Sequence, residues 1–81
     1  MPKVLRRNIP LQLYEHLLDR VQQRSISGTQ LILMINWLDT EPEVPAGSWF
    51  KRFPGMIVCG DGELVKTFLL PEQTAIGEEV D

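Results

Sequence analysis

Between Leu11 and Arg24 the hydrophobic positions recur at the spacing of an amphipathic helix. Leu13, Leu17 and Val21 stand at i, i+4 and i+8, and Leu11, Tyr14 and Leu18 widen the stripe to roughly 160° of the helix circumference. Gln12, Glu15, His16, Asp19, Arg20 and Gln23 take the opposite side, which places His16 in solvent. Ahead of this helix, Val4 to Ile9 is a short segment with two β-branched residues, closed by Pro10, which lacks a backbone donor and suits a helix entrance. The pattern predicts a strand over residues 4–9 and a helix over 11–24.

A second helix is announced by Ser27 followed three residues later by Gln30, the spacing of a capping box. It is predicted from Thr29 to Thr40, before Pro42, through the run Leu31-Ile32-Leu33-Met34-Ile35-Asn36-Trp37-Leu38. Only Thr29, Asn36, Thr40 and, at the margin, Asp39 are polar, so nearly every side of this helix requires cover. Glu41 to Gly47 is a turn-rich connector, too short for a flexible linker. The pattern then turns to β: Ser48–Phe53 is aromatic and basic, Pro54-Gly55 marks a turn, and Met56–Cys59 and Glu63–Leu70 read as strands around a Gly60-Asp61-Gly62 hairpin turn. Pro71 closes the second strand, and residues 72–81 read as a loose acidic tail in which Ala75-Ile76 docks as a short edge strand.

The length, 81 residues, makes this a single domain over 1–81, with a β-hairpin extension at 46–71. So short a chain buries only about 60% of the surface its unfolded form exposes and commonly leans on disulfides, a metal or a second subunit. Cys59 is the lone cysteine and His16 the lone histidine, so neither an intrachain disulfide nor a four-ligand zinc site can form, and oligomerisation remains. Each buried Leu or Ile of the second helix contributes about 1.5–3 kcal/mol, so the expected cover is a second copy across Leu31, Met34, Ile35 and Leu38. The alternative is that residues 49–70 fold over the helix within one chain.

No catalytic constellation accompanies His16, no metal or cofactor signature is present, and a non-enzymatic protein is expected. Gly60-Asp61-Gly62 lacks the Lys-Ser/Thr ending of a phosphate loop, and Cys59 lies in an apolar strand without a neighbouring base. The longest apolar run, Leu31 to Ile35, is far below the ~20 residues of a membrane helix, no signal peptide opens the chain, and a cytoplasmic location is expected.

The net charge of −3 is unevenly spread: residues 1–24, 25–60 and 61–81 carry +3, −1 and −5. A basic N-terminal arm holding Lys3, Arg6 and Arg7 therefore precedes an acidic body, and such an arm can contact phosphates locally. Trp49-Phe50-Lys51-Arg52-Phe53 interleaves rings with cations as single-strand binders do, although core packing of these rings explains the same pattern.

Val4-Leu5-Arg6-Arg7-Asn8-Ile9-Pro10, the helix Leu11 to Arg24, the turn Ser25-Ile26-Ser27-Gly28-Thr29 and the helix Thr29 to Thr40 follow one another in an order that resembles the ribbon-helix-helix (Arc/MetJ-like) DNA-binding domain. The resemblance covers residues 3–40 and implies a dimer whose paired N-terminal strands enter the major groove of double-stranded DNA. With Leu5 and Ile9 facing the core, it makes Arg6 and Asn8 the base-reading candidates, Lys3 and Arg7 phosphate contacts, and Ser27 and Gly28 a phosphate clamp at the helix start. Arg7 falls on the same side as Leu5 and Ile9.

The architecture expected is α+β: an N-terminal strand, two helices, then a small C-terminal antiparallel β segment, as a dimer. The function expected is a dimeric DNA-binding transcriptional regulator or antitoxin-like protein, whose C-terminal β segment covers the dimer or meets a protein partner. The competing expectation is a non-catalytic protein-interaction module, or a small subunit of an assembly, that touches no nucleic acid.

Overall fold

A computed structural model describes residues 2–23 and 26–80, with Arg6 described by its backbone alone. Two helices come first, α1 at Leu11–Gln22 and α2 at Gly28–Asp39. Four strands follow, β1 at Ser48–Phe53, β2 at Met56–Asp61, β3 at Leu64–Leu69 and β4 at Glu78–Glu79, in the sheet order β3-β2-β1-β4. The chain is α+β, as its periodicities imply, but the N-terminal strand is not there. Arg6–Asn8 forms a single 3-10 turn closed by the Asn8 N–H donating to the Leu5 carbonyl at 2.9 Å. A strand would hold Arg7 between Leu5 and Ile9 on an apolar face, whereas the turn leaves Arg7 exposed.

The backbone upstream of that turn is occupied within its own chain. Lys3 forms an isolated antiparallel bridge with Glu43, the Val4 N–H donates to the Pro42 carbonyl at 3.1 Å, and the Val44 N–H donates to the Pro2 carbonyl at 2.8 Å. Val4 and Val44 are both buried completely by this pairing. The connector between α2 and β1 thus supplies the pairing that a second chain was expected to provide.

The helix expectations are close to the observed elements. Pro10, extended at φ −59° and ψ 141°, is the N-cap of α1, and its carbonyl accepts the first helical bond from Tyr14 at 3.0 Å. Leu13 and Leu17 turn into the core and Val21 packs against it. The expected extension to Arg24 and the expected turn residue Ser25 lie outside the described residues. Ser27 caps α2 and its hydroxyl accepts from the Gln30 N–H at 3.4 Å. Gln30 does not reach back to complete the capping box; its Oε1 accepts from the Gly55 N–H at 2.8 Å and ties α2 to the β1–β2 turn.

The inward side of α2 is covered by its own chain. Met34 and Leu38 are buried to 1% and 0% exposure, and Leu31 and Ile35 are half-buried against the same core, so this side is not open to a second copy. Val4, Ile26 and Val44, which the periodicity of the helices leaves out, supply cover together with Trp49, Met56, Val58 and Val65 of the sheet. Trp37 of α2 meets Trp49 and Phe53 of β1 at ring separations of 5.8 and 6.1 Å.

The sheet is a meander of three antiparallel strands with a fourth added at its edge. Pro54-Gly55 turns β1 into β2, with Phe53 opposite Met56. The next turn lies two residues later than expected, at Gly62-Glu63, with Asp61 opposite Leu64 and Gly62 at φ +58°, the positive value a type II′ hairpin needs at its first central residue. A bulge between Cys59 and Gly60 sets Lys66 outside the pairing. The acidic tail is not wholly loose: Glu78 and Glu79, rather than Ala75-Ile76, form the edge strand, parallel to Trp49 and Phe50. Arg52 bonds Glu79 at 3.5 Å and stacks on Phe50 at 5.3 Å, which fastens this edge across the face away from the helices.

Trp49 pairs with Gly60, and its indole lies directly on that residue while Nε1 donates to the Gly62 carbonyl at 2.8 Å. A Cβ at Gly60 would overlap the indole, and the Leu64 carbonyl stands 2.8 Å away on another side. Gly60→Ala is therefore expected to cost about 2 kcal/mol or more by overpacking and to lower the melting temperature by roughly 10 °C. Gly47→Ala, where a Cβ meets nothing within 4 Å, should change stability by less than about 0.5 kcal/mol. Thermal unfolding of both variants checks this, and equal melting temperatures would refute the contact.

Candidate functional site

The 3-10 turn contacts α2, and its flanks line one groove together with the start of α1 and the end of α2. These three pieces enclose an open groove of ≈ 630 Å³. Leu5 and Ile9 come from the flanks of the turn, Leu11 and Tyr14 from the first turn of α1, and Leu38 from the last turn of α2. Leu38 is buried in the floor, Leu5, Ile9 and Tyr14 are half-buried, and Leu11 stands at the lip with 71% of its surface exposed. Arg7, Asp39 and Glu41 are the charged residues of its rim. Among the described residues neither Arg7 nor Glu41 makes an ion pair.

The acidic rim is shaped by how α2 ends. Thr40 caps the helix with its hydroxyl donating to the Trp37 carbonyl at 2.6 Å, and the Glu41 N–H donates to the Leu38 carbonyl at 3.0 Å. This is the start of a Schellman termination, whose second bond cannot form because Pro42 has no N–H. Glu41 holds the left-handed conformation, φ 52°, that such an ending reserves for glycine. A side chain in that conformation costs about 1 kcal/mol, and here it stands on the groove rim.

The residues assigned to nucleic acid fall on the bridge to Glu43, the 3-10 turn and the start of α2. Lys3 and Arg7 are exposed, but Lys3 lies in the bridge to Glu43 and Arg7 on the groove rim. Asn8 donates its side-chain amide to the Glu63 carbonyl at 2.9 Å, which locks the 3-10 turn onto the β2–β3 turn and occupies the group expected to read a base. The side chain of Arg6 lies outside the described residues. Ser27 and Gly28 are exposed at the start of α2, with no other predicted contact residue beside them in sequence.

His16 is exposed, as its place in the helical pattern implies; its Nε2 accepts from Arg20 Nε at 3.4 Å and its ring meets Phe68 edge-on at 5.3 Å. Burial pushes the Cys59 thiol up from its ordinary value, which reduces thiolate at neutral pH. Trp49 and Phe50 are core residues, while Lys51 lies about 6 Å from the rings of Trp37 and Phe53, so the aromatic and basic stretch is spent on packing. No group of three or more potential metal ligands occurs among the described residues, and no described helix is long and apolar enough to cross a membrane.

The groove residues Leu5, Ile9, Leu11, Tyr14 and Glu41 were not singled out in the sequence as a set. Their one trace is the width of the α1 stripe, whose outer members, Leu11 and Leu18, exceed what the core of one chain covers. Comparison with family models, with curated proteins and with solved structures finds no match.

The αL residue on the rim provides a direct measurement. Glu41→Gly is expected to raise stability by about 0.5–1 kcal/mol, because relief of the left-handed conformation outweighs the added chain entropy. Glu41→Val is expected to lower it by at least about 1 kcal/mol. Urea unfolding midpoints that fall for both variants would show that Glu41 carries no such strain.

Proposed function

We propose that this chain is a non-catalytic protein-interaction module that receives an apolar side chain of a protein partner in the groove between the 3-10 turn, α1 and α2. The observation that carries this reading is the combination of an open apolar cleft, a leucine 71% exposed at its lip, and two lining charges of opposite sign, Arg7 and Glu41, that make no ion pair among the described residues. Burying that leucine in a partner would contribute about 1.5–3 kcal/mol, and rim charges would set the orientation of the occupant. Protein recognition commonly uses such a central apolar anchor with a polar surround.

A duplex-DNA reader of the ribbon type requires two paired N-terminal strands. Here the backbone of residues 2–4 is bonded to residues 42–44 and Asn8 is committed to Glu63, so that reading has no ribbon to rest on. The net charge of −3 favours protein over nucleic acid as the ligand.

Peptides selected from a random library are expected to carry an apolar anchor and to perturb the NMR signals of Leu5, Ile9, Leu11 and Tyr14. Leu11→Asp should weaken their binding by about tenfold or more without loss of fold, since Leu11 is exposed. Retention on random duplex DNA that disappears as salt rises, together with peptides that bind elsewhere or ignore Leu11→Asp, would overturn the reading.

A further inference from the structure

The outer edge of β1 is only partly filled. β1 runs over six residues, whereas β4 pairs with it at Trp49 and Phe50 alone. The Val80 N–H donates to the Phe50 carbonyl at 2.7 Å, so the backbone groups of Phe50 are the ones that point to this edge. Strand residues two apart point their backbone groups the same way. The N–H and C=O of Arg52 therefore also face outward, and among the described residues no strand pairs with them.

The segment on this edge is held lightly. Of residues 71–79 all but Ala75 are exposed, Ile76 to 84%, and the ion pair of Arg52 with Glu79 is exposed by more than half at both ends. Val80, half-buried against the core, is its apolar anchor. Entry onto the edge depends on Gly77, whose φ of +113° suits no other residue and where a Cβ would stand 2.5 Å from the Ser48 carbonyl oxygen. At the opposite edge of the sheet a bulge sets Lys66 outside the pairing, a form of protection that keeps further strands from adding to β3. β1 pairs with β2 in unbroken register and is shielded on its other side only by the two residues of β4.

We infer that the outer edge of β1 is a strand-addition site for an extended acidic and apolar segment of a protein partner, and that β4 is its intramolecular stand-in. The stand-in defines the chemistry of that segment: a glycine where it meets the edge, a carboxylate beside Arg52, a branched apolar side chain in the place of Val80, and main chain that continues parallel to β1 past Arg52. Such a partner displaces β4 because it repeats the same contacts and adds backbone bonds to Arg52, each a factor of about 2–10 in affinity. The site shares no residue with the groove, so it stands or falls independently of it.

Fluorescence anisotropy on the full chain tests this with two labelled peptides, one of residues 74–81 and one in which the same sequence is lengthened by Thr-Val-Thr. The longer peptide should bind the more tightly, by about threefold or more, and should shift the NMR amide signals of Phe50 and Arg52 while those of residues 78–80 move to random-coil positions. Gly77→Ala, which expels β4 without altering β1, should raise its affinity about tenfold or more by removing a competitor held at about millimolar effective concentration. Val80→Asp in the full chain should produce the same release through the side chain, with the far-UV circular dichroism of both variants close to wild type. Adding Arg52→Glu to Gly77→Ala should weaken binding about threefold to tenfold, and a Glu79→Lys peptide should recover it. Peptides that bind neither released variant, or that bind without moving the signals of Phe50 and Arg52, overturn the inference. It is equally overturned if the wild-type chain forms a dimer by exchanging β4 and the peptides do not compete, since the occupant is then a second copy.

Discussion

Trp49 lies where the two layers of this protein are joined. Its indole rests on Gly60 across the β1–β2 pairing, its N–H reaches the carbonyl of Gly62, and its ring meets Trp37 of α2. A side chain of this size, with no exposed surface, needs both an apolar bed and a partner for its single donor; Gly60 of β2 provides the first and Gly62 of the β2–β3 turn the second. The turn also receives Asn8 through Glu63, so the same few residues hold the N-terminal turn in place. Gln30 performs the corresponding service at the other end of β2 by accepting from Gly55.

With the sheet fastened to α2 in this way, the hydrophobicity of that helix is divided. Met34 and Leu38 go inward, Leu31 and Ile35 border the core, and Ile32 and Leu33 remain outside. An 81-residue chain has little surplus area with which to wrap such a helix, and Ile32 and Leu33 stay uncovered, as Leu11 and Leu18 do on α1. The groove lies where α2 stops before Pro42, with Glu41 in a left-handed conformation as the chain turns away. The strained residue and its place on the rim share one cause, the Glu41-Pro42 dipeptide.

Sequence periodicity identifies both helices because each has a strong local signal: the i, i+4, i+8 leucines and valine of α1, and Ser27 as the cap of α2. It identifies the β character after residue 47 for the same reason, since alternation and turn residues are local properties. It misplaces the N-terminus because Val4 to Ile9 has strand-like composition in isolation, and the choice between an intermolecular ribbon and the bridge to Glu43 depends on residues about forty positions away. Asn8 illustrates the same limit, since a side chain that suits adenine equally suits a backbone carbonyl brought beside it.

The sequence by itself determined the composition of the problem: a chain without disulfide or zinc ligands, an amphipathic helix, a helix too apolar to stand alone, and a β meander with two tight turns. Only the tertiary structure decided which sides of the helices remain uncovered and where the N-terminal residues find their partners. Periodicity along a helix reports which residues are apolar, whereas cover depends on what lies across from each of them. Val4, Ile26 and Val44, distant in sequence and weakly patterned, make that decision by filling the space against the inward side of α2.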